Sequence, residues 1–265
     1  MKLRMCSSQD AFSTGSAHVF SRCIVKAFTI LCCAALLSVS GCSTSTSTST
    51  STYTDFGYDD LEFERIFNGE NLDGWRIDRI EADEDLELFT IEDGELILDT
   101  PGTEEFAWLT FEEELTDYVL RLKFIAYQDA RGNCGVQFRD VWPDDQWYGR
   151  HGFDLASNVP ESTGFIWDFE EGWLPPYGIQ GYSSDLFEPY LPEGWEYKWS
   201  TDEDPWNLLE MRVEGSRVTS VLNGKQIIDW DGGDLIQPNG HIAIEVHNGQ
   251  VFRFRFKDIE LARLG

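Results

Sequence analysis

Between residues 118 and 127, apolar side chains alternate with polar or small ones, and a period of two dominates the chain from residue 89 onward. Successive side chains of a strand point to opposite faces, so this pattern lays one apolar face on a core. No stretch carries the 3.6-residue periodicity of a long amphipathic helix. Turn signals punctuate the strands. Asp93-Gly94 folds 89–99 into a hairpin with Leu96 and Leu98 on one face. Glu214-Gly215-Ser216 joins 208–213 to 217–222, and Asn223-Gly224 turns the chain into 225–228. The stretches 241–246 and 251–261 close the domain through Asn248-Gly249. Many short strands at this spacing predict an all-β antiparallel sandwich of the jelly-roll kind.

Upstream, Ile66-Phe67-Asn68-Gly69 runs into Leu72-Asp73-Gly74-Trp75, which reads as a short strand, a tight turn and a buried Trp. Residues 142–206 break the rhythm and hold seven of the ten tryptophans, at 142, 147, 167, 173, 195, 199 and 206. Such aromatic content predicts ordered loops over one face or rim of the sandwich, where indole rings stack on sugar C–H faces or form a satellite core.

Residues 1–41 read as a secretory leader. Lys2, Arg4, Arg22 and Lys26 form its basic front, an apolar run extends from Ala27 to Val39, and Val39-Ser40-Gly41-Cys42 resembles a bacterial lipobox. The run is shorter than the about 20 residues of a bilayer span. Cys42 is expected to carry lipid and to begin the mature chain. Residues 42–60 follow as a tether, since 43–52 is pure Ser/Thr and cannot bury surface. Residues 61–265 are the expected folded domain. Five of the six cysteines precede it, and Cys134 alone supports neither a disulfide framework nor a thiolate metal cluster.

The formal net charge is −28, and the leader carries four basic residues against Asp10, so the body is more acidic still. That charge repels phosphate backbones and excludes nucleic acid as a partner. It also repels anionic lipid, which leaves the lipid anchor as the only expected membrane contact. The expected location is outside the cytoplasm, periplasmic or at the cell surface. Acidic clusters at 81–87 and 202–204 show no ligand-spaced loop and read as solvated surface.

Several blocks carry a resemblance in consistent order. Phe67-Asn68-Gly69 to Gly74-Trp75 comes first, then Gly132-Asn133-Cys134-Gly135 with Arg139, then Tyr148 with Asp154. Thr163-Gly164-Phe165-Ile166-Trp167, Trp206-Asn207, Asn223-Gly224, Gly240-His241-Ile242-Ala243 with His247, and Arg255-Phe256-Lys257-Asp258-Ile259 complete the set. Together they resemble the 3-keto-disaccharide hydrolase family from about residue 63 to 262. The chain departs from that family at Cys134 for Ser, Gly149 for Glu, His151 for Gln and Glu245 for Gln.

The resemblance implies a concanavalin A-like jelly-roll sandwich and a carbohydrate substrate already oxidised at C3. A 3-keto group acidifies the C2 proton, so a base removes it and the C1 substituent leaves by β-elimination. Water then adds to the 2-hydroxy-glucal. The implied roles are Glu245 or Asp154 as base, His151 or His247 as acid, and Arg139 at the enolate. The substrate-contact candidates are Asn133, Gln137, Tyr148, Trp167 and Trp206. Period two places His241, Ala243, Glu245 and His247 on one strand face, but about 13 Å separates His241 from Glu245 along an extended strand, so the three polar groups cannot converge on one metal ion. No organic cofactor and no dedicated metal ligands are expected, with divalent metal assistance left open. The alternative is a non-catalytic carbohydrate-binding lipoprotein. A two-carboxylate glycosidase ranks last, because no strand shows alternating inward-facing carboxylates.

Overall fold

The structure is a computed structural model that describes Tyr58 and residues 60–140, 151–168, 172–173 and 191–265. These residues fall within one unit, Ser51–Gly265. The expectations for the leader, for Cys42 and for Tyr148 lie outside the described residues.

In chain order the strands are β1 (Glu64–Arg65), β2 (Trp75–Asp78), β3 (Phe89–Glu92), β4 (Glu95–Thr100) and β5 (Ala107–Phe111). Next come β6 (Tyr118–Ala126), β7 (Gly135–Asp140), β8 (His151–Asp154), β9 (Ile166–Asp168) and β10 (Gly172–Trp173). Last are β11 (Asn207–Glu214), β12 (Arg217–Leu222), β13 (Lys225–Asp231), β14 (His241–Val246) and β15 (Phe252–Arg263). They form two antiparallel sheets. The first runs β13-β12-β11-β6-β15-β4-β3 with β1 on β15, and the second β10-β9-β8-β7-β14-β5-β2. The fold is the jelly-roll sandwich that the alternation predicts.

Each sheet turns one face inward. Leu120, Leu122, Phe124, Met211 and Phe254 from the first sheet meet Val136, Phe138, Phe153, Ile242 and Ile244 from the second in one buried cluster. The Asp93-Gly94 and Asn223-Gly224 turns form as expected, with all four residues at positive φ. Trp75 is buried and donates from its indole Nε1 to the Ile66 carbonyl at 2.8 Å. The strand beside it is β1, at Glu64–Arg65, just ahead of the apolar pair rather than on it. Tyr58 lies within the expected tether but packs against Val119 and Ala262, so the packed body reaches back at least that far. Asn248-Gly249 does not make a hairpin, because β14 and β15 lie in different sheets and the turn carries the chain from one layer to the other.

The far end of β7 departs from alternation. Arg139 has φ of +49°, and the β14 pairing slips between His241 and Ala243. The resulting bulge sends Arg139 toward the other sheet, where its side chain is 1% exposed. Its guanidinium donates to the carbonyls of Thr116 at 2.6 Å, Gly215 at 2.5 Å and Gln237 at 2.9 Å, and pairs with Asp117 at 2.6 Å. One cation thus closes this end of the sandwich. Three carbonyls lose their donor in Arg139→Met, so unfolding in urea is expected at a lower midpoint, by about 3 kcal/mol of stability. An unchanged midpoint would show that the clamp contributes nothing.

Candidate active site

The opposite end of the second sheet gathers acids. β8 pairs with β7 so that Gly135 faces Asp154 and Gln137 faces Gly152. β14 pairs with β7 so that Ala243 faces Gln137 and Ile244 faces Val136, which carries Glu245 to the place opposite Gly135. Asp154, Gly135 and Glu245 therefore form one row across three strands, with the outer Cα atoms roughly 10 Å apart. Their face is the one turned away from the core, since Val136, Phe153 and Ile244 point inward. Trp167 faces Gly152 on β9 and belongs to the same side.

Two glycines make the arrangement possible. A Cβ at position 135 would lie 3.0 Å from Glu245 Oε2, and one at position 152 would lie 2.5 Å from the Gln137 amide nitrogen. The chain leaves out both side chains, and the Gln137–Glu245 pair occupies the room. Gln137 Nε2 donates to Glu245 Oε2 at 2.7 Å.

Both acids are buried. Burial pushes Asp154 up to about 7, against hydrogen bonds from the Ser162 hydroxyl and the Leu155 amide that act downward. Burial also pushes Glu245 up to about 8, assisted by the negative charge of Asp154 and opposed by the Gln137 hydrogen bond. Ser162 Oγ lies against both Asp154 Oδ2 and the Val159 carbonyl, the latter at 2.7 Å. A hydroxyl has one proton to donate, so a protonated Asp154 satisfies this contact by donating to Ser162 while Ser162 donates to Val159. Cys134, also buried, is pushed well up by desolvation and by both carboxylates, and directs its thiol to the Glu245 carbonyl at 3.2 Å. Tyr197 is raised by burial too, and its hydroxyl is buried without a hydrogen-bond partner among the described residues.

Of the residues proposed from sequence, the structure unites Asp154, Glu245, Gln137 and Trp167. It separates Arg139, His151 and Trp206 from them. Arg139 sits about 13 Å along β7 from Gly135 and is committed to the clamp, so the positive-φ bulge removes it from the face where period two would put it. His151 turns to the core side of β8, stacks on Phe138 at 5.5 Å and places Nε2 2.8 Å from Asp168 Oδ2. His247 lies past the end of β14, packs on Phe106 at 4.7 Å and shares Nδ1 with the Gln250 amide at 3.1 Å. Burial lowers its pKa and keeps it neutral. Asn133 binds Gln250 Oε1 through its backbone N–H at 2.8 Å. Trp206 lies just ahead of β11 in the other sheet, with Lys257 Nζ 3.7 Å over its ring. Sequence reasoning missed Ser162, Gly152 and Tyr197. Only Gly152 carried a signal, as a glycine inside a strand-like run. Among the described residues no group of three or more His, Cys, Asp or Glu is arranged to hold a metal ion.

Comparison with known proteins places this site in a family context. The family described as the 3-keto-alpha-glucoside-1,2-lyase-like domain matches residues 62–262. A candidate glycosyl hydrolase from Parabacteroides distasonis is 15% identical over 77% of this chain and 94% of its own, with a TM-score of 0.52, which shows a shared fold. A Bacillus subtilis protein of unknown function with a galectin-like fold is 14% identical over 77% of this chain and 95% of its own, with a TM-score of 0.48. No curated protein matches the sequence.

The two raised pKa values have a consequence for stability. Each carboxyl contributes stability in full below its ordinary value of 3.8 or 4.5 and loses that contribution as pH rises through about 7 or about 8. Resistance to urea is therefore expected to fall from roughly pH 4 to pH 8, and Glu245→Gln is expected to flatten that fall. Parallel curves for wild type and variant would refute the burial of an ionisable acid at this position.

Proposed function

The chain belongs to the 3-keto-alpha-glucoside-1,2-lyase-like domain family, and from that premise we propose that it cleaves 3-keto-glucosides by elimination and hydration. The observation that supports this reading best is the pair of buried carboxyls flanking Gly135, with pKa values of about 7 and about 8. Environments that hold two acids at different protonation states near neutral pH provide a base and an acid at one place.

Asp154, the stronger acid, ionises first and takes the C2 proton, which the neighbouring 3-keto group has acidified. The electron pair forms the C1–C2 double bond, the bond from C1 to the leaving oxygen breaks, and Glu245 gives that oxygen its proton. Asp154 is now protonated and Glu245 ionised. In the second half Glu245 takes a proton from water as the oxygen bonds to C1, and Asp154 returns its proton to C2. Both groups end as they began, and the net change is hydrolysis. Arg139, His151 and His247 play no part in this scheme. Glu245 and Asp154 keep the role foreseen for the base and add the role of the acid.

We further propose that the domain works outside the cytoplasm, held to a membrane by lipid on Cys42 through the Ser/Thr tether. Cys42→Ser is expected to move the protein from the membrane fraction to the soluble fraction on cell fractionation. Retention on the membrane would refute the anchor.

Aglycone release from a 3-keto-glucoside tests the activity, with the unoxidised glucoside as control. Release from the keto substrate alone is expected, with an optimum between about pH 7 and 8 set by the pair as a unit. Asp154→Asn and Glu245→Gln are each expected to lower kcat/KM by about 10²–10⁴. Binding of sugar without release would return the non-catalytic reading.

A further inference from the structure

Gln137 holds a resource that the acid–base scheme leaves unused. The residue is 1% exposed, and its amide donates from Nε2 to Glu245. The other end of the same amide, Oε1, is buried without a hydrogen-bond partner among the described residues. Turning the amide over does not remove the deficit. Oε1 would then accept from a protonated Glu245, and the nitrogen would be the end left without a partner. Buried polar groups are rarely left unpaired, so such an atom beside two acids points to something that visits.

The position of that free end is built. The amide lies over Gly152, where a Cβ would come within 2.5 Å of Nε2 and 2.8 Å of Oε1. Gly152 is two residues before Asp154 on the same strand face, and Gln137 is two residues after Gly135. The free end therefore sits in the next row of the sheet, beside the gap between the two carboxyls. A sugar reaching both acids must present its ring substituents there.

We infer that Gln137 is a positioning residue for the pair: one end of its amide fixes Glu245, and the free end accepts from an O–H donor at the reacting sugar. That donor is a ring hydroxyl or the water that adds to the glucal. The inference rests on the activity proposed above for the identity of the donor, but the hold on Glu245 stands apart from it.

The test must allow for the groups that face Glu245. Asp154 on β8 raises it, while Cys134, whose thiol points to the Glu245 carbonyl, is kept neutral by burial. Gln137 is the group that lowers it. Gln137→Met preserves volume and removes both amide functions. With folding confirmed by thermal melting, the alkaline limb of kcat/KM is expected to move to higher pH, which a purely structural role would not cause. One half of the reaction is also expected to weaken by at least about tenfold. A raised KM for elimination identifies a ring hydroxyl, and accumulation of the 2-hydroxy-glucal identifies the water. An unmoved limb with both halves intact would overturn the inference. If Gln137→Met does not fold, Gln137→Glu, which keeps the size and loses the N–H, reads the same limb. If the wild type releases no aglycone, the proposed activity fails, and infrared titration of the Glu245 carboxyl decides the hold on its own. An upward shift in the variant supports it, and coincident curves overturn it.

Discussion

A carboxylate taken out of water needs a cation, several hydrogen-bond donors or a proton, and the two acids flanking Gly135 receive mainly the third. Asp154 and Glu245 lie on one face, three strands wide, and no lysine or arginine among the described residues enters the balance that sets either pKa. Each carboxylate has one side-chain donor, from Ser162 or Gln137. Repulsion between two charges at this spacing adds to the desolvation, so ionising one acid makes the second harder to ionise. One acid ionised beside one still protonated near neutral pH follows from this, and proton-transfer chemistry requires the same condition.

The rest of the fold serves that constraint. The inward faces of both sheets bury a continuous apolar cluster, which fixes strand register because a slip of one residue would exchange the faces. Register in turn sets Asp154 and Glu245 across from the same glycine. At the far end of β7, the bulge at Arg139 uses a guanidinium, the one buried among the described residues, to join loops of the opposite sheet. The cation that would hold the acids ionised is thus kept about four residues away. Structure and chemistry are divided between the two ends of a single strand.

Local features of this arrangement were legible in the sequence, and non-local ones were not. Alternation in 118–127 and the Asp93-Gly94 and Asn223-Gly224 turns depend on neighbouring residues only, and they appear as expected. Asp154 was recognisable as a candidate from the resemblance of its block to the family, and Glu245 from that resemblance together with the alternation along 241–247. Their meeting across Gly135 is a matter of pairing between strands about 90 residues apart in sequence, which no local pattern encodes. Arg139 was misplaced for a related reason, whereas His151 lies on the face opposite Asp154 as alternation along β8 itself requires. Period two predicts a common face for Gln137 and Arg139, and a single residue at positive φ cancels that prediction. Asn248-Gly249 signals a turn without saying whether the chain stays in its sheet, and here it changes layers.

The central claim is that the acids beside Gly135 hold a proton at neutral pH. Carbon-13 NMR of labelled side-chain carboxyls measures this directly, with Asp154→Asn and Glu245→Gln for assignment. Inflections near 7 and near 8 are predicted, with the Glu245 value falling when Asp154 is made neutral. Two carboxyls titrating independently at their ordinary values of 3.8 and 4.5 would contradict the account.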